Sequence, residues 1–168
     1  AGGADVILIP EIPFSIDAIV ANIRVDRSAG KNFSIIVVAE GAFSKNGDVA
    51  VKKIVDDPTE PRRLGGIGNV IGNLLEEKTD IETRVTVLGH IQRGGIPSTY
   101  DRNLSTRFGV HAARCAINGE FGQLVALRKG AIKTVPMVDA AEGQRLVSPD
   151  NDFVQVARSI GISFGDET

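Results

Sequence analysis

Apolar positions in this chain gather into short unbroken runs and into stripes at helical spacing. Val6-Ile7-Leu8-Ile9 ends at Pro10, Phe33 to Ala39 reads Phe-Ser-Ile-Ile-Val-Val-Ala, and Arg84 to Leu88 reads Arg-Val-Thr-Val-Leu. Runs rich in β-branched residues, without polar alternation, predict parallel strands covered on both faces. Between them the spacing changes to three and four. Ser15 precedes Ile16, Ile19, Val20 and Ile23 and predicts a capped helix closing near Ala29-Gly30. Val70, Ile71, Leu74 and Leu75 predict a second helix over Asn69 to Lys78. Strand, helix, strand, helix, strand predicts an α/β fold: a parallel sheet flanked by helices.

The pattern changes after Leu88. Gly89-His90-Ile91-Gln92-Arg93-Gly94-Gly95-Ile96-Pro97 reads as a polar, glycine-rich loop directly beyond a strand. Ser98 or Thr99 then caps a long helix that stops at Asn118-Gly119. Gln123 to Leu127, Lys129-Gly130 and Ala131 to Val135 read as strand, tight turn and returning strand. A last amphipathic helix starts near Asn151 or Asp152, and Gly161 to Thr168 reads as a frayed end. Gly41 to Gly66 is the least regular stretch and reads as a mobile surface loop.

Composition narrows the class. At 168 residues with 42% hydrophobic and 24% charged residues, the chain can bury a core. Nineteen Lys and Arg against 21 Asp and Glu leave a net charge of -2, which argues against broad nucleic-acid binding. A single cysteine excludes an internal disulfide, and one cysteine with two histidines argues against structural zinc. No apolar run reaches the roughly 20 residues that span a bilayer. A cytoplasmic protein without a membrane partner is expected. The chain opens on Ala1-Gly2-Gly3 without Met and enters a strand almost at once, so an earlier portion is expected too.

Ligands of open parallel sheets bind beyond the carboxyl ends of the strands. Two loops fit: Glu40-Gly41 after the second run, and Gly89 to Gly95 after the third. If those strands are neighbours, Glu40, His90 and Arg93 converge on one crevice. A carboxylate accepts from sugar hydroxyls, a histidine donates or accepts, and an arginine holds phosphate through paired N–H groups. The set suits a sugar phosphate. Arg84, at a strand start, reads by pattern alone as a surface charge. Gly66-Ile67-Gly68-Asn69-Val70-Ile71-Gly72 follows no strand and has the wrong glycine spacing for a dinucleotide fingerprint, so its glycines are read as packing positions. Asp101, Arg102 and Arg107 read as helix-surface or interdomain ion pairs. Cys115, among alanines and Ile117, reads as a buried, inert thiol.

Val87-Leu88-Gly89-His90-Ile91-Gln92-Arg93-Gly94-Gly95, followed by Pro97 and Tyr100-Asp101-Arg102, resembles the 6-phosphofructokinase family. Gly3-Ala4-Asp5 leading to Ile9-Pro10-Glu11, Gly30-Lys31, Ala39-Glu40-Gly41 and Thr83-Arg84-Val85-Thr86 agree in order. The resemblance implies phosphoryl transfer to the 1-hydroxyl of fructose 6-phosphate in glycolysis, with Mg²⁺ and with ATP or pyrophosphate as donor. It implies that Glu40 binds sugar hydroxyls and that His90 and Arg93 hold the 6-phosphate. It makes Arg84 a phosphate ligand reaching a neighbouring subunit's site, hence a homo-oligomer. It implies an effector site at Asp5 and Lys31, weakened because Ala29 stands where the family has a basic residue.

The family's donor-phosphate loop, general base and metal-associated aspartate lie upstream of the matching segments, and neither pattern occurs here. The expectation is therefore a C-terminal half: no catalytic base, no metal site, and no turnover by the chain alone. Residues 1–92 would form the fructose 6-phosphate-binding half. Residues 93–168 would support the donor domain, return to the substrate domain, and expose apolar surface without their packing partner. The alternative is a non-catalytic sugar-phosphate-binding or regulatory module on the same domain.

Overall fold

The computed structural model describes residues 2–45, 66–141 and 146–167. The chain divides into two compact units, Ala1–Val87 with Leu146–Thr168, and Leu88–Arg145. Most of the predicted loop from Gly41 to Gly66 lies outside the described residues.

In the first unit the Val6 run forms strand β1 (Val6–Leu8), and the Phe33 run forms β2 (Ile36–Val38). They pair in parallel, Val6 opposite Ile36 and Leu8 opposite Val38. Helix α1 (Ile16–Ser28) joins them and buries Ile16, Ile19, Val20 and Ile23, the stripe its spacing predicts. Ser15 occupies the N-cap position without a side-chain capping bond. Beyond the helix Gly30 takes φ +91°, a conformation that glycine adopts at no steric cost. Helix α2 (Ile67–Thr79) adds Ile67, Ile71 and Leu75 to a core whose centre is Val6, Leu8, Phe14 and Ile19. Each such side chain contributes roughly 1.5–3 kcal/mol on burial.

Two expectations for this unit are corrected. The run Arg84–Leu88 is not a strand. Its β-branched residues favour extended backbone, but a strand also needs a backbone partner, and among the described residues this run has no ladder. Instead the Thr83 amide donates to Glu76 Oε1 at 2.6 Å, and Val85 and Thr83 pack on Gly72 of α2. Nor is the C-terminal segment frayed, because Ile162, Ser163 and Phe164 are buried. Ser163 runs parallel to Val6. Its carbonyl accepts from the Ile7 amide at 2.9 Å, and its amide donates to the Asp5 carbonyl at 3.0 Å. The segment thus flanks β1 on the side away from β2. Helix α5 (Asp152–Ser159), capped by Asn151 through the Phe153 amide, leads into it and buries Val154 beside Ile12 and Phe164.

In the second unit Gly89–Arg93 winds into a short 3₁₀ helix. Helix α3 (Thr99–Ile117) begins with a reciprocal box between Ser98 and Asp101, as the run after Pro97 predicts. Strands β3 (Gln123–Arg128) and β4 (Ala131–Pro136) form the predicted antiparallel hairpin, closed by Lys129 and Gly130, both at positive φ. A one-turn helix α4 (Met137–Ala141) follows, which no periodicity announces. Ile96, Ile117 and Phe121 are exposed here. Among the described residues no helix is long and apolar enough to cross a membrane.

Candidate functional site

Parallel pairing sends β1 and β2 out at the same edge, and Glu40 stands two residues beyond β2 on that edge. The Ala39 amide donates to the Leu8 carbonyl at 2.9 Å, and the Ala42 amide closes a turn on Ala39 at 3.0 Å. This turn holds the exposed Glu40 beside the end of β1. Gly41 allows the approach, since a Cβ there would lie 3.1 Å from Pro10 Cγ. Glu40 makes no side-chain contact among the described residues, so its two oxygens are available to donors from a ligand.

His90 and Arg93 belong to the second unit and lie three residues apart in the 3₁₀ helix. At three residues per turn, side chains at that spacing stand on one side of the helix. The helix ends where the Gly94 amide donates to the Ile91 carbonyl at 3.3 Å. Gly89, its first residue, takes φ +49°, and Gly95, just beyond its end, takes φ +111°. Both side chains are exposed, so an imidazole and a guanidinium sit together on an open turn. The strand over 84–88 that the pattern predicts just before this turn does not form. Glu40 and Arg84 fall in one unit, His90 and Arg93 in the other.

Arg84 is 87% exposed, and its Nε donates to Glu82 Oε1 at 3.1 Å. Two residues apart on open backbone, this pair adds little to stability.

Asp5 and Lys31 form an ion pair with each other, and Lys31 also reaches Asp26 at 3.5 Å. Asp5 accepts in addition from the Ile35 amide at 2.8 Å. Burial opposes the charge on Asp5, but these two donors outweigh it and hold the carboxyl below its ordinary value. The bond to Asp5 in turn holds the Lys31 ammonium above its ordinary value, against some desolvation. Lys31 thus spends its charge on Asp5 and Asp26, where it ties the end of α1 to the start of β1. Sequence spacing shows no sign of Asp26 in this cluster.

The helix-surface pairs read from the sequence are replaced by other bonds. Asp101 is held by Ser98, Arg102 Nε donates to the Pro97 carbonyl at 3.3 Å, and Arg107 Nη2 donates to the Gly130 carbonyl at 3.2 Å. None of the three forms an ion pair among the described residues. Cys115 is buried as expected, and desolvation, with Glu120 nearby, pushes its thiol upward. Among the described residues no three His, Cys, Asp or Glu side chains gather as a metal site would require.

The family model for phosphofructokinase matches residues 1–116. The chain is 51% identical over 167 residues to an ATP-dependent 6-phosphofructokinase of Chloroflexus aurantiacus, covering 99% of this chain and 45% of the relative. It is 41% identical to a pyrophosphate–fructose 6-phosphate 1-phosphotransferase of Streptomyces coelicolor, covering 98% of this chain and 46% of that one. Among solved structures, the T-state phosphofructokinase of Pichia pastoris aligns with a TM-score of 0.52 at 33% identity, over 83% of this chain and 15% of that one. The chain therefore spans a little under half the length of the curated relatives it matches.

Proposed function

We infer that this chain, which belongs to the phosphofructokinase family, supplies the fructose 6-phosphate side of a 6-phosphofructokinase. The observation that carries the inference is the His90–Arg93 turn: two phosphate donors on one side of a single 3₁₀ helix, within the segment that the family model matches. The arginine fork grips a phosphate dianion through two N–H groups, and His90 adds a third donor. Glu40 accepts from hydroxyls, which suits the sugar-binding role that the family resemblance gives it. A phosphate gripped by the His90–Arg93 turn holds one end of the ketose in place. Positioning of this kind, with charge neutralisation, is most of what phosphoryl transfer asks of a protein.

Arg84 serves the site of a neighbouring copy in this reading, and its exposure with only Glu82 at hand supports that role. The working enzyme is then a homo-oligomer. Residues 1–92 form the sugar-phosphate half, and 93–168 support the donor domain before returning. In this reading Mg²⁺ and the donor, ATP or pyrophosphate, are held by residues outside this chain. No residue here is assigned as the base, and the 168-residue chain alone is inactive. Lys31, engaged by Asp5 and Asp26, leaves little cation for a phosphorylated effector.

Titration calorimetry with fructose 6-phosphate tests this. Binding that weakens at least ~10-fold in Arg93→Gln, and clearly in Glu40→Gln, is expected. Equal affinity in wild type and both variants overturns the assignment. Fructose 1,6-bisphosphate formed by the pure chain with Mg²⁺ and either donor overturns the claim of inactivity. Sugar-phosphate binding by a full-length protein that never forms product identifies the non-catalytic module instead.

A further inference from the structure

The second unit contains a cleft of about 540 Å³ between α3 and the turn joining β3 to β4. Arg107, Val110, His111 and Arg114 line it from the helix, Gly130 and Ile132 from the hairpin. Residues 107, 111 and 114 recur at helical spacing and share one face of α3. No acidic residue lines the cleft, and neither arginine has an ion-pair partner among the described residues. Arg107 spends one N–H on the Gly130 carbonyl, which braces its guanidinium across the mouth and leaves its other donors open. The charge is regional as well as local. Residues 88–145 hold eight of the chain's 19 Lys and Arg, four of its 21 Asp and Glu, and both histidines.

We propose that the cleft formed by Arg107, His111 and Arg114 of α3 against the β3–β4 turn binds a small ligand carrying two or more linked phosphates. Helical rise sets the backbone positions of Arg107 and Arg114 ~10 Å apart along the axis, a span that linked phosphates cover with one arginine at each end. A linked di- or triphosphate presents anionic oxygens at both ends and passes His111 between them. Val110 and Ile132 add apolar surface beside these charges. A long nucleic acid is a poorer fit, because beyond this unit the chain is net acidic and would repel it. The site uses none of Glu40, Arg84, His90 or Arg93, so it stands or falls apart from the sugar-phosphate assignment.

Calorimetry of the 168-residue chain with inorganic tripolyphosphate, and separately with orthophosphate, tests the proposal. Tripolyphosphate is expected to bind at least ~10-fold more tightly than orthophosphate. The double substitution R107Q/R114Q should weaken it ~10-fold or more, R107K/R114K should keep part of the affinity, and R93Q should leave it unchanged. Circular dichroism matching wild type shows that each variant is folded, and unchanged fructose 6-phosphate binding by R107Q/R114Q separates the two sites. No tripolyphosphate binding, equal affinity for orthophosphate, or a loss that follows R93Q rather than R107Q/R114Q overturns it.

Discussion

Arg158 holds Asp166 through both terminal nitrogens, Nη1 to Oδ1 at 3.0 Å and Nη2 to Oδ2 at 2.8 Å, while its guanidinium lies 4.8 Å from the centre of the Phe164 ring. One side chain thus pins α5 to the segment that flanks β1. The bond from Arg158 holds the Asp166 carboxyl below its ordinary value of 3.8, against partial burial. A carboxyl that keeps its charge to lower pH when folded stabilises the fold fully above its unfolded value. That contribution fades as the pH falls through the folded value. Asp166→Asn is expected to cost about 1–2 kcal/mol at pH 7. Urea melts in steps from pH 7 into acid should show the gap from wild type narrowing once the pH falls below the unfolded value; a gap that does not narrow at all rules out the ionic origin.

Gly165 sits at φ +71°, and a Cβ there would lie 3.0 Å from Leu8 Cδ2 and 3.0 Å from Phe14 Cβ, both fully buried residues. Gly165→Ala therefore meets backbone strain and a filled core together. The expected loss is about 2–4 kcal/mol, read from the midpoint of chemical unfolding. A loss below the few tenths typical of surface sites would mean that the segment is not packed as described.

Gly72 of α2 faces Val85, and a Cβ would stand 2.9 Å from Val85 Cγ2 and 3.3 Å from Thr83 Cγ2. Alanine gains about 1 kcal/mol of helix propensity but must push this segment outward, a cost of about 1–3 kcal/mol. Gly72→Ala alone is expected to destabilise. Combined with Val85→Ala, which removes the obstructing methyl groups, the helix gain should reappear as favourable coupling in a double-mutant cycle. Strict additivity would show that the two residues do not touch.

Cys115 is buried and its thiol is pushed upward by desolvation, with Glu120 adding to the effect. Both features reduce the reactive thiolate. Labelling with a disulfide reagent at pH 8 should run at least ~10-fold slower in the native protein than in denaturant. Equal rates would place the thiol in open solvent.

The elements most legible in the sequence are those stabilised by their own neighbours. The α1 stripe, the Ser98–Asp101 box and the Lys129-Gly130 hairpin each carry their signal within a few residues, and each forms. The run Arg84–Leu88 shows the limit of that logic. Its composition specifies extended backbone, yet whether a ladder forms depends on a partner strand that no local pattern records. The tail fails the other way: Gly161 and Gly165 look like loosening, but both sit at positive φ and turn the chain back so that Ile162 and Phe164 are buried. Of the residues proposed for the site, the placing of His90 and Arg93 on one turn was readable from their three-residue separation, and that of Glu40 from the strand before it. The cationic face of α3 was not, since Arg107 alone looks like any surface charge until Arg114 and the hairpin turn are set beside it.

Strand β1 has β2 on one flank and Ser163 on the other, so its two neighbours are separated by well over a hundred positions along the chain. Until Ser163 has been synthesised, one flank of β1 lacks its partner. Closing so wide a loop is entropically slow. The growing chain must keep that edge from pairing with other molecules while the intervening residues are made.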